Sequence, residues 1–184
     1  MRIISGSAKG VVLQSVPGKS TRPITDQVKE ALFNIIGKDI KDKYILDLFG
    51  GTGAVGIEAL SRGAKHAVFL EINFRALKTI EENLRLTQLK KNATLIKKDA
   101  LVFLRETPKQ AFDYVYIAPP QYKSIWLKAL QALDENPNWV RSGETVIVQI
   151  HPKEFVEGIH LTHFYEYDRR TYGDTMLVFY ERSS

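Results

Sequence analysis

Leu46-Asp47-Leu48-Phe49-Gly50-Gly51-Thr52-Gly53-Ala54-Val55-Gly56-Ile57-Glu58-Ala59-Leu60 decides the fold. An apolar strand ends in a glycine-crowded turn, and the turn opens directly into a helix. Glycine admits positive φ and lets a ligand approach the backbone without meeting a Cβ. Gly51, Gly53 and Gly56 spell G-x-G-x-x-G, and Glu71 follows at the spacing of a ribose-binding acid. Asp47, just ahead of the turn, limits the choice of ligand, because a carboxylate there repels a pyrophosphate. A nucleoside with a cationic tail suits it better.

Working outward, strand and helix alternate. Strands are predicted at 44–49, 66–71, 93–98, 113–118 and 144–150, and helices at 54–62, 74–87, 100–106 and 124–134. Alternation of this kind gives parallel strands with right-handed crossovers and a sheet covered on both faces. Segments 162–170 and 175–181, joined at Gly173-Asp174, read as an antiparallel hairpin that closes the sheet. Upstream, 2–5 and 10–15 read as a short hairpin across Gly6-Ser7-Ala8-Lys9-Gly10. A helix over 26–36 follows, with Thr25 as its cap and Gly37 as its stop. The expectation is one α/β domain over 1–184. Within it, 1–42 forms an N-terminal hairpin-and-helix extension, read as RNA-binding, and 43–184 forms the core.

In open parallel sheets, ligands bind at the carboxyl ends of strands near the switch in strand order. Four features share that address: the glycine loop (Phe49, Gly50, Gly51, Thr52, Gly53), Glu71 with Ile72, Asp99 with Ala100, and Ala118-Pro119-Pro120-Gln121-Tyr122. S-adenosylmethionine matches the first three. Its ammonium and sulfonium suit Asp47, its ribose hydroxyls can donate to Glu71, and its adenine amine can donate to Asp99. Structural readings stand beside these, with Glu71 and Asp99 as caps of the helices that follow them. The double proline fixes φ and holds extended carbonyls that a helix cannot recruit. Such carbonyls suit an exocyclic amine, and Tyr122 suits stacking on a flipped base.

Composition sets the remaining bounds. With 184 residues the chain can bury a full core, and with no cysteine it has neither disulfides nor a thiolate metal site. No apolar run reaches membrane-spanning length and the start is not that of a secretory signal, so a cytoplasmic protein without a membrane partner is expected. Net charge is +5, and no acidic residue precedes Asp26, whereas Arg2, Lys9, Lys19 and Arg22 do. A basic opening suits a polyanion such as RNA, or is a solvated basic hairpin. Gly18-Lys19-Ser20 lacks the leading glycine of a phosphate loop and reads as ordinary loop. His160 and His163 stand without further ligands, so no metal is expected.

The chain resembles the RsmD-like RNA methyltransferases along essentially its whole length. The resemblance rests on Arg2-Ile3-Ile4-Ser5-Gly6, Thr21-Arg22-Pro23, Glu30-Ala31-Leu32-Phe33-Asn34, the glycine loop through Leu60-Ser61-Arg62-Gly63-Ala64, and Arg170-Thr171-Tyr172-Gly173-Asp174-Thr175. It implies a Rossmann-like class I methyltransferase fold. The implied reaction is methyl transfer from S-adenosylmethionine, which leaves S-adenosylhomocysteine, to the N2 amine of a guanine in bacterial small-subunit ribosomal RNA. The implied partner is that RNA, free or within a partly assembled small subunit. Together with the basic opening it implies phosphate contacts at Arg2, Lys9, Lys19 and Arg22, with Arg169 and Arg170 in addition. One departure stands out: the family's Asp-Pro-Pro-Tyr or Asp-Pro-Pro-Phe is Ala118-Pro119-Pro120-Gln121 here, with the aromatic moved to Tyr122. Losing one well-placed polar group costs on the order of 100- to 1,000-fold in rate. Backbone carbonyls of Ala118 and Pro119, helped by Gln121, are the expected replacements. Three alternatives remain: a nicotinamide-dependent dehydrogenase, a non-catalytic RNA-binding relative that retains the cofactor fold, and a methyltransferase acting on another amino group in nucleic acid.

Overall fold

A computed structural model describes residues 1–18, 23–121 and 123–184, so Lys19, Ser20, Thr21, Arg22 and Tyr122 lie outside the described residues. Seven strands form one sheet: β1 (Tyr44–Asp47), β2 (His66–Leu70), β3 (Ala93–Ile96), β4 (Phe112–Ile117), β5 (Val140–Ile150), β6 (Phe164–Tyr172) and β7 (Thr175–Arg182). Their order is β3-β2-β1-β4-β5-β7-β6, and β7 alone runs against its neighbours. The α/β architecture expected from the sequence, mostly parallel with a closing antiparallel hairpin, is the one that forms.

Period-two alternation sends each strand's apolar residues to two different layers. Ile45, Ala67, Phe69, Tyr114, Tyr116 and Ile147 face one core with helices α1 (Asp26–Ile36), α2 (Ala54–Ser61) and α3 (Phe74–Thr87). Leu46, Val68, Leu70, Val115, Ile117 and Val148 face the other, under α4 (Ala100–Leu104) and α5 (Ile125–Glu135). Strand order reverses between β1 and β4, so their carboxyl ends diverge around a crevice.

All eight residues of α2 are buried, including the polar Glu58 and Ser61. The sheet covers one side and the N-terminal segment covers the other. Buried polar groups need partners, and the segment's backbone supplies them. Glu58 accepts from the N–H groups of Ile4 (2.9 Å) and Ser5 (3.1 Å), and it pairs with buried Lys29 at 3.2 Å and with Arg62 at 2.8 Å. Ser61 Oγ accepts from Ala8 N–H at 2.9 Å and donates to the Ser5 carbonyl at 2.6 Å. The Ser61 carbonyl accepts from Ser7 N–H at 2.8 Å.

The hairpin expected over 2–5 and 10–15 forms as a short antiparallel pairing: Arg2 bridges Val12, Ile3 N–H donates to the Val11 carbonyl at 2.9 Å, Leu13 N–H to the Met1 carbonyl at 2.8 Å and Gly10 N–H to the Ile3 carbonyl at 2.8 Å. It stops short of the expected strand lengths. Ile4 and Ser5 give their donors to Glu58 instead of to a partner strand. Several element boundaries also move, among them those of β5 and β6. Strand β5 begins at Val140 rather than 144, its early part offset from β4 by an irregularity between Phe112 and Tyr114. Strand β6 begins at Phe164 rather than 162, because Thr162 and His163 N–H donate to the Asp134 carboxylate at 2.8 and 2.7 Å.

Candidate active site

A cavity of about 840 Å³ opens at the carboxyl ends of β1, β2, β3 and β4. That is the size of a site for a nucleoside-sized ligand. Its wall includes Asp47, Phe49, Gly50, Gly51, Thr52, Glu71, Ile72, Asp99 and Ala100, and also Ala118, Pro119, Pro120 and Gln121. Residues far apart in sequence thus meet because parallel strands all end at one edge.

The glycine loop is held from both ends. Gly53 N–H donates to the Gly50 carbonyl at 2.8 Å, and Gly50 N–H donates to Leu70 on β2 at 2.8 Å. Gly51 and Gly53 have φ of 58° and 79°, so a side chain at either would strain the turn. Gly53 itself is not among the cavity-lining residues. It backs onto Ile57 and Ile80, which a Cβ would approach to 3.1 and 3.2 Å. Thr52 hands its carbonyl to the buried Asn83 amide at 2.9 Å. The same Asn83 exchanges bonds with Gln14 N–H (2.7 Å) and carbonyl (3.1 Å). One amide on α3 therefore ties the loop to the N-terminal segment.

Three carboxylates mark three successive strand ends. Asp47 is almost fully buried, at 1% exposure, with one bond from Phe49 N–H at 3.3 Å. Burial, assisted by the nearby Glu71 charge and only partly offset by that bond, lifts its pKa to about 7. A buried carboxylate so poor in donors is ready for a cation. Glu71 accepts from Gly51 N–H at 3.0 Å and from Asn73 N–H at 2.8 Å, one bond to each oxygen. A carboxylate offers about four acceptor positions, so bonding the loop and a ribose together is within its capacity. Asp99 caps α4 through Leu101 and Val102 N–H, both to Oδ1, at 2.9 and 3.1 Å. Ile72, at 61% exposure, and Leu101 provide apolar surface at the rim.

The far wall was not foreseen. It is built from Thr25, Gln27 and Val28 at the start of α1, from Gln149 and Ile150 on β5, and from the turn Tyr172–Thr175. Tyr116 forms part of it, its hydroxyl donating to Gln149 Oε1. Burial, and then the Asp47 charge, hold the Tyr116 pKa well above its ordinary value, so it stays a neutral donor. One signal was present in the sequence: Gln149 is the lone polar side chain in the run Val146-Ile147-Val148-Gln149-Ile150.

The cations expected at RNA differ in their surroundings. Arg2 and Lys9 are exposed, and Lys19 and Arg22 lie outside the described residues. The Arg2 N–H donates to the carboxylate of Asp26, the first residue of α1, at 3.3 Å. Arg169 is engaged by Glu157 and Glu166 at 2.8 and 2.9 Å and lies over the Phe155 ring, and Arg170 pairs with Asp168 at 3.2 Å. Tyr122 also falls outside the described residues. His163 turns its ring toward the Asp134 carbonyl, and no group of three or more potential metal-binding side chains occurs among the described residues. Among those residues, no helix is long and apolar enough to cross a membrane.

Comparison with known proteins bears on this arrangement. The family model described as "Conserved hypothetical protein 95" matches residues 1–181. The chain belongs to this family. Within it, the chain is 38% identical over 188 residues to YlbH of Bacillus subtilis (strain 168), named as a candidate rRNA methyltransferase, covering 99% of each chain. It is 32% identical over 151 residues to ribosomal RNA small subunit methyltransferase D of Escherichia coli (strain K12), spanning 81% of this chain and 74% of that one. The solved structure of yhhF from Escherichia coli superimposes with a TM-score of 0.87 at 28% identity, covering 100% and 98%. An RNA methyltransferase from Salinibacter ruber shares the fold, with a TM-score of 0.67 at 13% identity. Kinship with the RsmD-like enzymes, expected from the opening segment and the glycine loop, is established. The dehydrogenase reading of the glycines is set aside with it.

Proposed function

We propose that this protein is an S-adenosylmethionine-dependent methyltransferase acting on the exocyclic N2 of a guanine in small-subunit ribosomal RNA. The observation that carries the reading is the buried Asp47 beneath the glycine loop, with Glu71 and Asp99 at the next two strand ends. A carboxylate held near pKa 7 by burial is stabilised by a cation and destabilised by a diphosphate. When bound, S-adenosylmethionine supplies an electrophilic methyl carbon and a neutral leaving group. Asp47 would face the cationic methionine end, Glu71 the ribose, and Asp99 with Leu101 and Ile72 the adenine. Displacement of a good leaving group asks mainly for positioning, so no histidine base is required. The substrate base would enter between the Ala118–Gln121 segment and the start of α1. The rRNA specificity follows the naming of relatives such as the Escherichia coli methyltransferase D. A partly assembled subunit as substrate, RNA grip by the 1–42 extension and a cytoplasmic location form part of the same proposal.

Ala118 favours a second reading, a non-catalytic RNA-binding relative. Calorimetry separates these ideas in order. The proposed enzyme binds S-adenosylmethionine and not a nicotinamide dinucleotide, and transfers labelled methyl to ribosomal RNA. Binding of cofactor without transfer would favour the second reading, and preference for the dinucleotide would remove both.

A further inference from the structure

Position 118 offers a methyl group on the cavity wall facing the target amine, and a side-chain acceptor, Gln149, lines the same wall. The β4–β5 register pairs Tyr116 with Ile147 and Ile117 with Val148. One step further places Gln149 beside Ala118, on the sheet face that Tyr116 also occupies. All three line the cavity. Tyr116 donates to Gln149 Oε1, and that bond holds the amide oxygen as an acceptor beside the phenol. A carbonyl oxygen has two lone pairs, so Oε1 can take a second donor from the cavity while Nε2 donates to an acceptor on the same edge of a base.

We infer that Gln149 is the side chain that orients the target amine in this enzyme, with Tyr116 as its positioning residue. The inference rests on the methyltransferase reading above and replaces the expectation that backbone carbonyls and Gln121 do the work alone. A side-by-side acceptor and donor recognises a base edge that presents an N–H next to a carbonyl or ring nitrogen, which guanine has and a simple amine lacks. An amide takes no proton from the amine, so the proton lost on methylation leaves to solvent. Tyr116 matters because an amide free to rotate by 180° would present its NH₂ group to the amine and repel it.

The test compares methyl transfer to ribosomal RNA by wild type, Gln149→Leu, Tyr116→Phe, Ala118→Asp and the Ala118→Asp/Gln149→Leu double variant, alongside cofactor affinity and thermal unfolding. Gln149→Leu is expected to lower kcat about 10- to 100-fold, the loss of one or two hydrogen bonds to the reacting base. Cofactor Kd should stay within about 3-fold, since Gln149 lies on the wall away from Asp99 and Glu71. Tyr116→Phe should lose less, about 3- to 10-fold. In the Ala118→Asp background a neighbouring carboxylate takes over, so Gln149→Leu should cost no more than about 3-fold. A merely structural role would give equal losses in both backgrounds, together with a lowered unfolding midpoint, and would overturn the inference. Active wild type with unchanged Gln149→Leu would overturn this inference alone. Wild type that binds cofactor but transfers nothing would overturn it together with the methyltransferase reading.

Discussion

Replacing Asp47 by asparagine should stabilise the empty protein and weaken its hold on the cofactor, two effects of opposite sign from one change. The folded state raises the Asp47 pKa from an ordinary 3.8 to about 7, chiefly by desolvation. The folded protein therefore binds this proton more tightly than the unfolded chain does between those two values. By linkage, wild-type stability falls as pH rises from about 4 to about 7 and is level above. At 1.36 kcal/mol per tenfold, the full cost of the buried charge is about 4 kcal/mol. Asparagine removes it but adds an NH₂ group in need of a partner, which returns about 1–3 kcal/mol. A net gain of about 1–3 kcal/mol is expected at pH 7.5, shrinking to nothing or reversing near pH 4. Urea unfolding of both proteins from pH 4 to 8 measures it. Cofactor affinity should fall about 10- to 100-fold in the variant, as one charge-assisted contact is lost. In wild type, affinity should rise with pH through about 7, as calorimetry between pH 6 and 7.5 would show. A pH-independent stability difference, or a variant that binds S-adenosylmethionine as well as wild type, would refute the reasoning.

The remaining predictions concern the N-terminal layer and its surface. Gly6→Ala should destabilise by about 2–4 kcal/mol in urea unfolding, because φ is +90° and the added Cβ would fall 1.8 Å from the Ser61 carbonyl oxygen. Lys29→Met should cost about 3 kcal/mol by the same measurement, since among the described residues it leaves the buried Glu58 carboxylate with Arg62 as its remaining cationic partner, and it frees the Arg2 carbonyl. Arg2→Gln with Lys9→Gln should reduce the slope of log affinity for RNA against log salt by about 1.4, with cofactor affinity unchanged in calorimetry. An unaltered slope would remove these two side chains from the RNA face.

The strand-end acids were legible because a parallel sheet forces them to one edge whatever the intervening helices do. Asp47, Glu71 and Asp99 could be placed from their positions after apolar runs alone. The far wall was not legible for a physical reason. Tyr116, Gln149 and Thr25 are brought together by strand order and by the docking of α1, neither of which leaves a local pattern. The same holds for the N-terminal segment. Its hairpin was legible, but the partner that satisfies Ile4 and Ser5 is a carboxylate on α2, 54 and 53 residues away, which no local pattern reveals. Glu58 itself gave a signal: an acid inside a helix whose other faces are apolar needs a buried donor set somewhere. Arg169 and Arg170 on the edge strand also pair with neighbouring acids, which their charge alone did not reveal.

The central claim is most directly tested by nucleoside mass spectrometry on small-subunit ribosomal RNA from cells lacking this protein, treated with the purified enzyme and methyl-labelled S-adenosylmethionine. The account predicts one new labelled nucleoside, N2-methylguanosine, absent when enzyme is omitted. Labelled methyl on another base, or none at all with cofactor demonstrably bound, would contradict it.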